Sequence, residues 1–219
     1  MPDTSVAITA GTGTNIDTVT TPNGDHRQVV IVEERGGFSG RASTFRIPGR
    51  AGTVGQRIFS IHNATGSAVH VRVNKITVDT VTTVVKAVTV LPPVVRAYKV
   101  TALPTGGTAV TKVAEDSSKT ANASVTVLGD ASADGTVSAT ALAATLPAGA
   151  VIAQEFSPRM ITAAGYEISD RIEFFAATNE AITLRPLEGI VVSLDYVLAT
   201  QNPITDMYIV GCRWEEFTP

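Results

Sequence analysis

Imidazoles, hydroxyls, one thiol and neighbouring carboxylates are the groups here that could carry chemistry, and their spacing decides which kind. The chain holds three histidines, His26, His62 and His70. His62 and His70 flank the short stretch Asn63 to Ala68. If that stretch is a hairpin, both rings could approach one metal ion, but a tetrahedral site needs further ligands and only Asp79 follows nearby. Read as structure, both are polar-face strand residues, and His26, between Asp25 and Arg27, is a turn residue bonded to backbone. Asp130-Ala131-Ser132-Ala133-Asp134-Gly135 copies the start of a calcium loop, yet the twelfth position, where a bidentate Glu belongs, is Ala141. A plain Asp/Gly turn is the competing reading.

Covalent catalysis finds less support. Gly37-Phe38-Ser39-Gly40-Arg41 has Arg where a nucleophile elbow needs its second Gly. Cys212 sits in an apolar run, where a buried thiol is inert, and as the sole cysteine it excludes an intrachain disulfide. Glu33-Glu34 and Glu215-Glu216 are adjacent pairs, and neighbours on a strand point to opposite faces, so neither pair can share a substrate. No phosphate-binding Gly-rich loop with its Lys occurs. The sequence predicts no enzyme, no cofactor and no metal site.

A charge asymmetry is more informative. Between His26 and Arg57 lie Arg27, Arg35, Arg41, Arg46, Arg50 and Arg57 against only Glu33 and Glu34, while Gly165 to Pro219 is rich in carboxylates. Arg meets carboxylate in a bidentate geometry that can fix one chain against another. Arg35, Arg41, Arg46 and Arg50 are therefore expected at an interface with another subunit, the alternative being ordinary solvated loops of little energetic worth.

These residues must be positioned by strands. From Val29 to Trp214 the chain runs in short Thr/Val/Ile segments cut by Gly, Pro and Asn, the pattern of an all-β sandwich. Hydrophobic residues are 44% of the chain and aromatics only 5%, so β-branched side chains must fill the core. Strands are predicted at Gln28–Glu33, Gln56–Asn63, Val69–Val78, Thr82–Val90, Val94–Thr101, Val151–Phe156, Glu167–Phe175, Ala181–Leu184, Gly189–Leu198 and Met207–Glu215. The apolar phase changes near Lys75, marking a β-bulge or burial on both faces. In Gly189–Leu198, Ile190, Val192 and Leu194 alternate with Ser193 and Asp195, whose face is wet or meets a partner.

Residues 1–28 are Thr/Gly/Asp-rich and read as an extended N-terminal arm that cannot bury enough surface to hold itself together. Its apolar beads Val6, Ile8, Ile16 and Val19 are expected to dock on a neighbouring subunit. Residues 29–219 form one β-sandwich domain, with 104–147, rich in Ala, Ser and Thr, as a protruding insertion. Lys plus Arg total 17 against 20 Asp plus Glu, a net charge of -3, which offers no broad positive field for nucleic acid. Apolar runs such as Val94-Val95 and Ile190–Val192 fall far short of the ~20 residues of a membrane helix. The start lacks a secretory pattern, which predicts folding in a cytoplasm and takes weight from the glycosylation sequon Asn63-Ala64-Thr65.

Two segments carry a resemblance. TGTNIDTVTTPNGDHRQVVIVEE, residues 12–34, resembles a leader of structural proteins of tailed bacteriophages, a Thr/Asp-rich arm before a turn and a QVV-type strand. AITLRPLEGIVVSLDY, residues 181–196, is similar to the LRPGEG strand-turn-strand of phage head and tail accessory proteins, with Leu187 where Gly is usual. Together they cover about a fifth of the chain. The resemblance implies a virion structural protein, foremost a jelly-roll-like head decoration or cement protein. It would bind the major capsid protein or other virion proteins and form a homo-oligomer, a trimer, with no nucleic-acid or membrane partner. A tail, baseplate or fibre component is the alternative within the virion. From another class, a carbohydrate-binding β-sandwich needs exposed aromatics, whereas Tyr208 and Trp214 share a strand face expected to pack inward.

Overall fold

A computed structural model describes residues 18–20, 26–28, 37–44, 46–49, 55–82, 93–130, 142–143, 145–147, 149–156, 171–176, 181–196 and 206–219. The chain divides into two compact units, Met1–Arg35 and Gly36–Pro219. In the first, β1 (Thr18–Thr20) and β2 (His26–Gln28) pair antiparallel, Thr18 opposite Gln28 and Thr20 opposite His26.

The second unit is all-β, and its described residues contain no helix. Its strands are β3 (Ser39–Ser43), β4 (Ile47–Pro48), β5 (Gln56–Asn63), β6 (His70–Thr82), β7 (Val94–Val100), β8 (Thr108–Ala109), β9 (Val113–Ala114) and β10 (Val125–Gly129). They continue with β11 (Val151–Phe156), β12 (Arg171–Phe174), β13 (Ile182–Leu184), β14 (Gly189–Asp195) and β15 (Asp206–Phe217). The first sheet runs β12-β6-β15-β3-β9, with β13 also on β6 and β4 on β15; the second runs β11-β7-β14-β5-β10-β8.

Nine strands carry the plan, β12 and β13 sharing one place beside β6. The outermost in sequence pair with each other, β3 with β15, then β5 with β14, β6 with β12 and β13, and β7 with β11, all antiparallel. That nesting is a long hairpin rolled into two facing sheets, the jelly-roll arrangement. Fold class was therefore legible in the alternation of Val, Ile and Thr.

The core lies between the sheets and is built mainly from aliphatic residues, among them Ile58, Ile61, Val71, Val73, Ile76, Val78, Ile190, Val192 and Leu194, with Phe59, Phe174, Tyr208 and Trp214 as its large members. Tyr208 and Trp214 do face inward, each about 1% exposed, so neither can serve as a sugar platform. Two bulges set the phase. In β6, Asn74 is the extra residue between the Val73–Trp214 and Lys75–Arg213 pairs, which explains the phase change near Lys75. In β5, Ile58 is the extra residue between Arg57–Ser193 and Phe59–Val192. Ile58 and Phe59 both reach the core and Arg57 is turned out, so strict alternation through β5 does not hold.

The stretch after β5 is not a hairpin, because β5 and β6 belong to different sheets. It crosses from one layer to the other. The segment 104–147 supplies β8, β9 and β10, which extend both sheets, and Val125 and Val127 of β10 join the core. Further on, Leu146 and Ala150 pack against Tyr98, Val100 and Val191 on the outer face of the second sheet. Ser193 and Asp195, expected on a wet or partner-facing side, are buried within the chain, where Arg57, Arg96 and Tyr98 surround them.

Candidate functional site: a row of cations on the first sheet

On the outward face of the first sheet, backbone register places three cations side by side. Arg213 of β15 lies opposite Arg41 of β3 on one side and opposite Lys75 of β6 on the other. With neighbouring strands ~4.8 Å apart, the row is ~10 Å long. Like charges directly opposite one another across strands cost stability, a cost that only neighbouring carboxylates can offset. The row borders a groove of about 540 Å³ that is also lined by Thr77, Arg171 and Gly211. Gly211 keeps the floor low, since a Cβ there would stand 2.7 Å from the Thr77 hydroxyl oxygen.

Acidic residues at the margins balance part of this charge. Arg213 Nη2 meets Glu115 Oε1 at 2.7 Å, and Ser39 Oγ donates to Glu115 Oε2 at 2.8 Å. The Ser39 hydrogen bond, the Arg213 pair and the field of Arg41 hold the Glu115 carboxyl below the usual range. Lys75 Nζ lies 2.5 Å from Glu173 Oε1. Arg171 reaches Asp79 through Nε at 2.7 Å and Nη2 at 3.2 Å. Arg41 is exposed and makes no ion pair with any described residue. Among the described residues the face therefore offers the unpaired Arg41 guanidinium beside two cations held in partly exposed ion pairs, which suits it to receive carboxylates.

Of the residues expected at an interface, Arg41 lies in the row. Arg46 is exposed just before β4 and does not line the groove. Val19 lies within β1, where only the backbone is described. Val6, Ile8, Ile16, Arg35 and Arg50 lie outside the described residues. Sequence reasoning missed Lys75, Arg171 and Arg213, because only register brings residues so far apart in the chain together. Lys75 did carry a local signal, standing where the apolar phase of β6 breaks.

A second polar cluster lies on the outer face of the second sheet. Arg57 Nη1 contacts Asp195 Oδ1 at 2.6 Å, and Arg96 Nη1 reaches Asp195 Oδ2 at 3.2 Å. Tyr98 and Ser193 donate their hydroxyls to the same carboxylate. Burial works to raise the Asp195 carboxyl, but those hydroxyl bonds and the Arg57 charge outweigh it and hold it low. Arg96 also binds Glu155 at 2.6 Å. Among the described residues no imidazole stands beside Ser193, and the cluster clamps β5, β7 and β14 together.

The remaining candidates resolve as structure. His62 and His70 sit in different sheets; the His62 Nε2–H donates to Leu187 O at 3.2 Å, and His70 stacks edge-on against Phe217. Asp130 is buried, its carboxylate accepting from Gln56 Nε2 at 2.7 Å and from Leu142 N at 2.9 Å; Ala131 to Ala141 lie outside the described residues. Among the described residues no three His, Cys, Asp or Glu gather to hold a metal. Glu215 is exposed while Glu216 turns inward to accept from Trp214 Nε1 at 3.0 Å and Asn122 N at 2.8 Å, so the pair does diverge. Cys212 is buried, and burial pushes its thiol up.

No protein-family model, curated protein or solved structure matches this chain.

Proposed function

We propose that the chain is a structural protein of a tailed-bacteriophage virion, a decoration or cement protein that holds to the capsid lattice as a homo-oligomer, with the major capsid protein as partner. The observation that carries the reading is the cation row, an outward sheet face that sets three like charges side by side and makes sense against an acidic neighbour. The two phage-like segments give the setting. By analogy of fold alone, the rolled sandwich fits as well, since this architecture recurs in viral shells, though it also serves lectins. The groove lining contains no aromatic residue, which weighs against a neutral sugar as ligand.

Fractionating disrupted particles into heads and tails, then quantifying this chain by mass spectrometry, tests the proposal. A decoration protein leaves with the shell in on the order of hundreds of copies, as repeated symmetric assembly demands. A few copies leaving with the tail would move it to the tail or baseplate. Absence from both fractions would overturn it.

A further inference from the structure

We propose that the Arg41–Arg213–Lys75 row binds an extended acidic peptide segment of a neighbouring protein, with peptide carboxylates seated between adjacent cations. The proposal deepens the docking reading above and rests on it in taking the partner to be a protein.

Charge complementarity carries the argument. Three cations stand on facing positions of β3, β15 and β6, and Arg41 has no ion-pair partner among the described residues. In an extended chain, alternate residues point the same way and lie ~7 Å apart. Two acidic side chains at that spacing fall within a row ~10 Å long, so that each carboxylate meets at least one of its cations. The guanidinium fork of Arg41 is suited to grip a carboxylate bidentately. The Thr77 hydroxyl and the low floor at Gly211 leave room for a backbone to lie across the strands.

Other polyanions fit less well. Glu115, Glu173 and Asp79 stand at the margins as partners of Arg213, Lys75 and Arg171. A nucleic acid, whose charge continues past the row every few ångströms, would run into these carboxylates. A short acidic segment places its charge only where the cations are.

The test uses the full chain and a fluorescently labelled peptide of alternating Glu and Ser, about ten residues long, enough to overspan the row. Fluorescence anisotropy is expected to show saturable binding that weakens with salt. Arg41→Glu should weaken it on the order of tenfold or more, the value of a charge-assisted hydrogen bond, with the melting temperature nearly unchanged. Gly211→Val, which fills the floor and changes no charge, should weaken it as well. The proposal is overturned if both variants bind as the parent does, if the peptide does not bind, or if a single-stranded oligonucleotide or dextran sulfate of equal charge binds more tightly. The outcome is separable from virion membership: peptide binding in solution stands even if particles lack the chain, and particles can carry the chain even if the row binds nothing.

Discussion

Asp195 shows how much one residue can organise. It accepts from Arg57, Arg96, Tyr98 and Ser193, side chains from three strands. Asp195→Ala would leave Arg57 buried without its counter-charge, and removing one partner of a buried pair costs about 3 kcal/mol or more. Urea denaturation measures this, and a change below about 1 kcal/mol would mean the cluster is solvated after all. Leu187 tells the opposite story. In Arg185-Pro186-Leu187-Glu188 the Glu188 N–H donates to Arg185 O at 3.0 Å, and Leu187 has φ 75°. Pro at the second position and left-handed φ at the third define a type II turn, where Gly is the relaxed choice. Leu187 is 48% exposed, so Leu187→Gly loses little packing and should stabilise the protein by about 1 kcal/mol, read from the denaturation midpoint. The departure at this position was visible in the sequence, but its sign required the dihedral angle.

His62 adds a pH dependence. Burial lowers its pKa from 6.5, with the Leu187 carbonyl partly opposing. The unfolded chain therefore takes up the proton first. Stability should be lost as pH falls below about 6.5 towards the lower folded value, and His62 should contribute no slope above that. His62→Gln should flatten the decline that sets in below about pH 6.5; an unchanged slope would contradict the assignment.

At the scale of elements, composition told most where a strand is regular. The strands predicted at 56–63 and 151–156 match β5 and β11, because turn residues bound them on both sides. Faces were less legible. The extra residue Ile58 resets β5, and no local pattern announces a bulge whose cause is the partner strand. The short gap after β5 looked like a hairpin because loop length does not record which sheet the next strand joins. The cation row belongs to this scale too, being a property of register. Arg41→Glu would put an acid opposite Arg213 but also near Glu115, so the two effects oppose and the melting temperature should stay nearly unchanged. A clear loss would mean that Arg41 has a folding role.

For the whole molecule, the rolled hairpin ties the start of the sandwich to its end. β15 lies between β3 and β6 in the first sheet, so a chain ending at Thr205 should show no cooperative thermal transition. Pairing the first strand with the last is also non-local, which places refolding on the millisecond-to-second scale or slower; stopped-flow fluorescence of Trp214 would follow it. The sequence showed the layers through their alternation, but pairings between distant strands, and the row of cations they create, exist only in the folded chain.

On the function proposed, this protein works by lying against its neighbours. Cryo-electron microscopy of particles whose genome encodes the chain addresses that directly. The expected map shows rolled sandwiches repeated over the shell, with Arg41, Arg213 and Lys75 turned towards acidic density of an adjoining protein. Shells without this protein, or copies whose cation row faces open solvent throughout, would contradict it.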